Sequence, residues 1–107
     1  MKRVFNHRTT RSVQIGVGHD DHTGGISFPI YPSATYRHPG VGQSTGYDYT
    51  RSGNPTREVL EDALADLEGG THGLAFSSGM GALTTLLLHF SSGDHLLASE
   101  DLYGGTY

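Results

Sequence analysis

Residues 77–81, with the sequence SSGMG, have the types and the spacing of an anion-binding turn. A short apolar run precedes them at 73–76 and a longer one follows at 82–90, which predicts a strand, a tight turn and a helix. The first N–H groups of such a helix lie at the positive end of its dipole and bind anions readily. Ser77 and Ser78 can cap the helix, and the glycines let an anion approach the backbone. A phosphate is the natural ligand, and a capped turn that binds nothing is the alternative.

A second group of residues suited to a phosphorylated ligand lies upstream, in a glycine-rich segment from residue 39 to 54. It contains Tyr47, Tyr49 and a single cation, Arg51. A guanidinium can hold a phosphate with two parallel hydrogen bonds, and a tyrosine can donate a hydrogen bond or stack on an aromatic ring. These residues favour a ligand that combines a phosphate with a ring. The structural alternatives are a surface cation and packing tyrosines.

Two other classes of function compete with this interpretation. The glycines of residues 79–81, with Glu100 about twenty residues further on, partly match a dinucleotide-binding fingerprint. The third glycine is missing, because Thr84 stands at its position. A non-catalytic α/β binding module is the other alternative, since no pair of nucleophile and base is evident.

The element that positions the upstream group is a helix that begins after Asn54. Asn54 is a favoured N-cap, Pro55 suits the first helical position, and Gly69-Gly70 ends the helix. Its apolar face consists of Val59, Leu60, Ala63, Leu64 and Leu67. That spacing predicts an amphipathic helix.

A βαβ unit is predicted for the rest of the chain. The strand at 73–76 and the helix at 82–90 are followed by a turn at 91–94 and a second strand at 95–98. This order implies a parallel sheet. Because a sheet of two parallel strands cannot cover both of its faces, we expect the sequence to be the N-terminal piece of a larger α/β protein.

Residues 1–25 are predicted to form an extended arm. Val13, Ile15 and Val17 alternate with other residues as in a brief strand, but the segment is polar as a whole. The run His19-Asp20-Asp21-His22 has metal-binding residue types. Without a third converging ligand, a solvated turn is favoured over a metal site, and no metal is expected.

Composition and charge narrow the class of protein. The 107 residues carry a net charge of −4 and no basic stripe, so nucleic acids and anionic membrane surfaces are poor partners. The absence of cysteine excludes disulfides, thiolate metal sites and a cysteine nucleophile. Neither an apolar targeting segment nor a membrane span is evident, which predicts a cytoplasmic protein.

Three segments carry a family resemblance: YDYTRSGNPTREVLEDALADLEGG, AFSSGMGAL and SGDHLLASEDLYGGTY. In this order they resemble the pyridoxal-phosphate enzymes of cysteine and methionine metabolism. These transsulfuration enzymes comprise cystathionine γ-synthase, the cystathionine lyases, methionine γ-lyase and the O-acylhomoserine sulfhydrylases. The resemblance implies an α/β fold, the N-terminal part of a fold-type I (aspartate-aminotransferase-like) enzyme. Residues 1–54 would be the arm and an intersubunit cofactor loop, and 55–107 the start of the large cofactor-binding domain with its mostly parallel sheet and flanking helices.

The resemblance also implies roles for individual residues toward pyridoxal 5'-phosphate. Tyr49 and Arg51 resemble the pair that binds the cofactor phosphate of a neighbouring subunit. Gly79 and Met80 resemble the residues whose N–H groups hold the phosphate of the subunit's own cofactor. Tyr103 resembles the catalytic tyrosine that stacks on the pyridine ring and assists proton transfer.

The resemblance further implies a homotetramer with shared active sites and small amino-acid substrates. Asp48 matches an acidic position near the substrate. The segment YRHPGVGQSTGYDYTRSGNPT, residues 36–56, is most similar to bacterial enzymes of methionine synthesis. This similarity predicts γ-replacement on an O-acylhomoserine by cysteine, the cystathionine γ-synthase reaction. A cystathionine β-lyase or γ-lyase, or an O-acetylhomoserine sulfhydrylase, is the alternative. The Schiff-base lysine is expected downstream of Tyr107, since Lys2 is the one lysine present, so we expect these residues alone to be inactive.

Overall fold

The computed structural model describes residues 7–17 and 20–107. The chain divides into two compact units, one ending at Leu74 and one running from Ala75 to Tyr107. The helices are α1 (Arg8–Val13), α2 (Pro55–Glu68) and α3 (Gly79–Leu87), and a 3₁₀ turn spans Gly104–Thr106. Within the described part of the chain, none of the helices has the length and apolarity needed to cross a membrane.

Helix α2 begins and ends where its sequence predicts. The Asn54 side chain accepts the N–H of Thr56 at 2.9 Å, and Pro55 occupies the first turn. At the other end Gly69 adopts a left-handed conformation with φ of 71°, and the Gly70 N–H donates to the Ala65 carbonyl at 2.8 Å. Glycine reaches this conformation without the steric cost that other residues incur, so backbone N–H groups satisfy the Ala65 and Asp66 carbonyls at this end.

The packing around α2 is thin. Ala65 is the buried hydrophobic residue of the described part, while Leu60 and Leu64 remain about half exposed, at 50% and 49%. The chain passes close to α2 again at Gly73, where an added Cβ would overlap the carbonyl oxygen of Glu61. A glycine is therefore required at this point of close backbone approach.

Helix α1 corrects the prediction of an extended arm for residues 8–13. Its arginines bind the C-terminal end of α2: Arg8 Nε and Nη2 donate to the Leu67 carbonyl at 3.0 and 2.6 Å, and Arg11 Nε donates to Asp66 Oδ2 at 2.9 Å. Cations are stabilised there by the negative end of the helix dipole. The helix is thus stabilised by tertiary contacts that its own polar sequence does not reveal. The alternation that ends at Val17 yields only an isolated bridge from that residue to Ser27.

The acidic turn after α1 is organised by Asp20. Its carboxylate accepts the N–H of His22 at 3.1 Å and the hydroxyl of Thr23, and the hydrogen bond from Thr23 lowers the pKa of this carboxyl. His19, the other histidine of the predicted run, lies outside the described residues. Among those described, no group of three or more histidine, aspartate or glutamate side chains converges as metal ligands would.

Residues 26–53 are irregular, and they include nearly all of the glycine-rich segment at 39–54 that the sequence predicts as a loop. One isolated antiparallel bridge pairs Thr35 with Tyr49. Two backbone hydrogen bonds form it: the N–H of Tyr36 donates to the Asp48 carbonyl at 3.2 Å, and the N–H of Thr50 donates to the Ala34 carbonyl at 2.9 Å. The bridge joins residues on either side of the glycines at 40, 42 and 46, shortly before α2 begins.

Helix α3 has the predicted cap, but it begins at Gly79 rather than at residue 82, and it also ends earlier than predicted. The Ser78 hydroxyl accepts the N–H of Gly81 at 3.0 Å. The helix stops at Leu87 rather than at residue 90, because the last N–H groups donate three residues back: His89 to Leu86 and Phe90 to Leu87, both at 3.1 Å. These shorter loops close the helix as a 3₁₀ turn.

The predicted strands at 73–76 and 95–98 are not paired. Across residues 7–17 and 20–107 the backbone forms two isolated bridges and no longer ladder. A strand is defined by the hydrogen bonds of its neighbours, so an apolar run by itself cannot form one. The order of apolar run, turn and helix is retained, and the βαβ ladder is absent.

Candidate functional site

Tyr49 and Arg51, from the upstream group of predicted residues, lie in one tight turn in the first unit. The Tyr49 carbonyl accepts the N–H groups of Ser52 and Gly53, both at 3.0 Å, and the Ser52 hydroxyl at 2.8 Å. The turn places the guanidinium carbon of Arg51 4.8 Å from the centroid of the Tyr49 ring, in a cation–π contact. Tyr49 and Arg51 are therefore brought together, as predicted, and both are exposed.

Asn54 holds this turn against the rest of the loop, in addition to capping α2. Its Nδ2 donates to the Tyr31 carbonyl at 3.0 Å, to the Tyr36 hydroxyl at 3.1 Å and to the Thr50 hydroxyl at 2.7 Å. The sequence predicted the cap alone. The remaining contacts reach residues up to 23 positions away, for which a single sequence carries no local signal.

Asp48 lies beside a histidine and a serine. Its Oδ1 is 2.9 Å from His38 Nε2 and accepts the Ser44 hydroxyl at 3.1 Å. With 67% of the side chain exposed, the carboxylate keeps its second oxygen open to a ligand. Two neighbours, neither of which sequence reasoning singled out, thus set the orientation of the carboxylate that the sequence predicts to lie near the substrate.

A polar cleft of about 180 Å³ lies next to this turn. Its lining includes Tyr47, Arg57 and Glu58. The Tyr47 hydroxyl donates to the Glu58 carboxylate, and this hydrogen bond raises the pKa of Tyr47 to about 12. The tyrosine that the sequence offered as a phosphate or ring ligand is thus engaged with α2.

The start of α3, in the second unit, presents free N–H donors. The Ser78 hydroxyl accepts the N–H of Gly81, and the Ser78 carbonyl accepts that of Ala82 at 3.1 Å. Among the described residues the N–H groups of Gly79 and Met80 have no protein acceptor. No acidic residue lies in this first turn. The two donors sit at the positive end of the helix dipole and suit an anion.

Tyr103 lies in the same unit and leads into the 3₁₀ turn. Its carbonyl accepts the N–H of Thr106 at 2.8 Å, and the Thr106 hydroxyl lies 3.6 Å from the sulfur of Met80. The ring of Tyr103 lies against Gly105, where an added Cβ would come within 2.8 Å of it. The side chain is 74% exposed, which leaves its face available for stacking.

The donors present fit a phosphate group. A phosphate accepts hydrogen bonds through several oxygens, and the groups offered in each unit can only donate: the Arg51 guanidinium in the first unit and, separately, two backbone N–H groups at the start of α3 in the second. Within the described part of the chain, Arg51 has no carboxylate partner within 4.0 Å. The residues predicted from the sequence thus keep the hydrogen-bonding capacity that a phosphate requires.

Comparison with known proteins decides the family. Residues 9–107 match the family described as Cys/Met metabolism PLP-dependent enzyme. The chain belongs to this family. The Cys/Met metabolism PLP-dependent family uses pyridoxal 5'-phosphate, so the predicted cofactor class is confirmed. Membership also decides against the dinucleotide-binding alternative, in which Thr84 replaced the third glycine.

Relatives within the Cys/Met metabolism PLP-dependent family share about half of the sequence. A cystathionine gamma-synthase/O-acetylhomoserine (thiol)-lyase of Bacillus subtilis (strain 168) is 57% identical over 104 residues, covering 97% of this chain and 28% of that protein. A cystathionine beta-lyase of Lactococcus lactis subsp. cremoris (strain MG1363) is 49% identical over 98 residues, covering 92% and 26%. The chain thus spans about a quarter of the length of these relatives.

A solved structure extends the likeness to the fold. The crystal structure of metB from Corynebacterium glutamicum superposes with a TM-score of 0.85 and 43% identity, covering 95% of this chain and 27% of that one. The predicted fold class, part of a fold-type I enzyme of the Cys/Met metabolism PLP-dependent family, is therefore confirmed.

Proposed function

We propose that this chain is the phosphate-binding segment of a cystathionine γ-synthase. The intact enzyme would replace the γ-substituent of an O-acylhomoserine with the sulfur of cysteine. The observation that carries the proposal is the 57% identity to a cystathionine gamma-synthase/O-acetylhomoserine (thiol)-lyase, over an alignment of 104 of the 107 residues.

The start of α3 would bind the cofactor phosphate. Pyridoxal phosphate, when bound, supplies an electron sink for negative charge that develops on the substrate. The N–H groups of Gly79 and Met80 would donate to phosphate oxygens, with the helix dipole adding to the attraction. Because both donors belong to the backbone, their positions depend on the cap that Ser78 forms at this helix start.

Four further side chains would contribute to binding of the cofactor and the substrate. Tyr49 and Arg51, whose side chains are in contact, would together donate to the phosphate of a neighbouring subunit's cofactor. Tyr103 would stack on the pyridine ring and move a proton through its hydroxyl. Asp48 would face the substrate, held by His38 and Ser44. The proposal includes a homotetramer, because active sites shared between subunits need at least a dimer and the family resemblance implies a tetramer. It also places the enzyme in the cytoplasm.

A cystathionine β-lyase is the second candidate, because a relative of that name is 49% identical over 98 residues. The two reactions act on different carbons of the amino-acid chain. A γ-replacement joins cysteine to a four-carbon skeleton, whereas a β-elimination cleaves cystathionine at the bond between sulfur and the β-carbon.

An assay of the intact enzyme that contains this segment tests the proposal. We expect it to form cystathionine from O-acetyl- or O-succinylhomoserine and cysteine, and the product can be identified by mass spectrometry. Borohydride reduction followed by measurement of the intact mass should reveal one cofactor per chain. Release of pyruvate from cystathionine, without formation of cystathionine from the acylhomoserine, would instead support the β-lyase. An intact protein that retains no cofactor would contradict both.

A further inference from the structure

We propose that Arg57 is a positioning residue that fixes the direction of Arg51. The inference rests on the proposed role of Arg51 in binding a cofactor phosphate. Arg57 lies in the first turn of α2, six positions after Arg51, and was not singled out by any sequence motif.

Contacts with the peptide carbonyls carry the argument. Arg57 Nη1 donates to the Thr50 carbonyl at 3.0 Å, and its Nη2 lies 3.5 Å from the Arg51 carbonyl. The preceding carbonyl, that of Tyr49, accepts the N–H groups of Ser52 and Gly53. Three consecutive carbonyls of the turn are therefore oriented, the first by the turn's own backbone and the next two by Arg57.

The orientation of a carbonyl sets the plane of its peptide bond. The planes on either side of the Arg51 Cα together determine the direction of its Cα–Cβ bond. Arg57 contacts the carbonyls of both peptides, so it can hold the Cα–Cβ bond of Arg51 in one direction. A planar guanidinium with several donors in a fixed fork is suited to this, whereas a lysine ammonium is not.

The setting of Arg57 is consistent with a fixed anchor. Its side chain is 34% exposed, and its Nε lies 3.4 Å from Glu61 Oε1 one turn further along α2. The carboxylate offsets the positive charge of Arg57, so the arginine can sit near Arg51 with reduced repulsion. Arg51 in contrast has an exposed guanidinium, with no carboxylate within 4.0 Å among the described residues. One arginine thus has the environment of a support and the other that of a ligand-binding group.

The experiment compares two cofactor forms in the intact enzyme. After removal of the cofactor, the dissociation constants of pyridoxal 5'-phosphate and of pyridoxal are measured by absorbance for the wild type and for Arg51→Ala and Arg57→Ala. We expect Arg51→Ala to weaken binding of the phosphorylated form by about tenfold or more, and Arg57→Ala by about tenfold or less. Neither substitution should change the affinity for pyridoxal, which lacks the phosphate. Arg37→Ala, which removes an exposed arginine of the same loop, is the charge control and should bind both forms as the wild type does.

The double variant decides whether Arg57 acts through Arg51. If it does, Arg51→Ala/Arg57→Ala binds the phosphorylated cofactor no more weakly than Arg51→Ala alone. Three outcomes would overturn the inference while Arg51 keeps its role. In the first, the affinity losses of the two single variants multiply in the double variant. In the others, Arg57→Ala loses affinity equally for both cofactor forms, or loses none. Wild-type affinity in Arg51→Ala would overturn the phosphate role itself, and the inference with it. Should Arg57→Ala not fold, Arg57→Lys replaces it, with a smaller expected loss and the same dependence on Arg51.

Discussion

The N-terminal ends of α2 and α3 use the same cap geometry for opposite purposes. Both begin at an extended residue whose side-chain oxygen accepts an N–H of the first turn, Asn54 for α2 and Ser78 for α3. In α2, Pro55 has no N–H to offer and Glu58 places a negative charge in the first turn. In α3 the corresponding position is Gly79, and the first turn is free of acidic residues. The first end is closed and charge-compensated, and the second remains open to an anion.

The difference indicates which feature of a helix start leaves its N–H groups available to a ligand. The dipole and the cap are common to both, so neither distinguishes a structural end from a functional one. What differs is the first helical residue: Pro55 in α2 has no N–H group, whereas Gly79 in α3 has one that is left without a partner among the described residues. Four substitutions test this, ordered from the largest expected effect to the smallest.

Gly79→Pro would make the start of α3 resemble that of α2. Proline is tolerated at the first helical position but carries no N–H, and the extended backbone of Ser78 suits a following proline. Loss of one hydrogen bond to a charged phosphate should weaken cofactor binding by roughly 1.5–3 kcal/mol, measured by titration of the cofactor-free intact enzyme. Gly79→Ala is the matched control, because a Cβ at this position meets nothing within 4 Å and the N–H is kept. Equal affinities for the two variants would show that this N–H does not bind the phosphate.

Asn54→Ala should destabilise the closed end. It removes the cap of α2 and the donor to Tyr31, Tyr36 and Thr50, with an expected loss of about 2 kcal/mol in the free energy of unfolding. Asn54→Asp keeps the capping oxygen and loses the donors, so the difference between the variants isolates the cap. Chemical denaturation of the intact enzyme measures both. If the aspartate variant is as unstable as the alanine variant, the cap contributes little.

Ser78→Ala should have a smaller effect at the open end. It removes one cap, that to the Gly81 N–H, for an expected loss of about 1 kcal/mol in the free energy of unfolding. Ser77→Ala serves as control, since no hydrogen bond of the Ser77 side chain occurs among the described residues. In thermal unfolding, we expect Ser78→Ala to lower the midpoint temperature and Ser77→Ala to leave it unchanged. A shift of the same size in Ser77→Ala would show that the cap is shared.

The smallest effect is a pH dependence at the closed end. The hydrogen bond to Glu58 raises the pKa of Tyr47 to about 12 in the folded protein, above its ordinary value of 10.0. Between these values the folded state binds more protons than the unfolded state, so stability falls as pH rises from about 10 to 12. Tyr47→Phe should remove this part of the alkaline loss, as measured by unfolding midpoints against pH. If stability depends on pH in the same way in Tyr47→Phe and the wild type, the pKa of Tyr47 is not raised in the folded protein.

Prediction from the sequence succeeded where the interactions are local. The bounds of α2 follow from Asn54, Pro55 and Gly69, each of which acts on backbone groups within a few residues. The cap at Ser78 has the same origin. The end of α3 was predicted three residues too late, because an apolar run does not distinguish a helical turn from the 3₁₀ turn that closes it.

The sequence by itself determined both ends of α2, the cap at Ser78 and, through its motifs, the family. Only the tertiary structure decided which groups lie together over long separations. The arginines of α1 bind carbonyls and a carboxylate of α2 that are 55 to 59 residues away. Tyr47 bonds to Glu58, and Arg57 reaches back to the turn of Arg51. Polar side chains of these types have many equivalent partners along a chain, and the folded backbone selects among them by bringing particular donors and acceptors within reach.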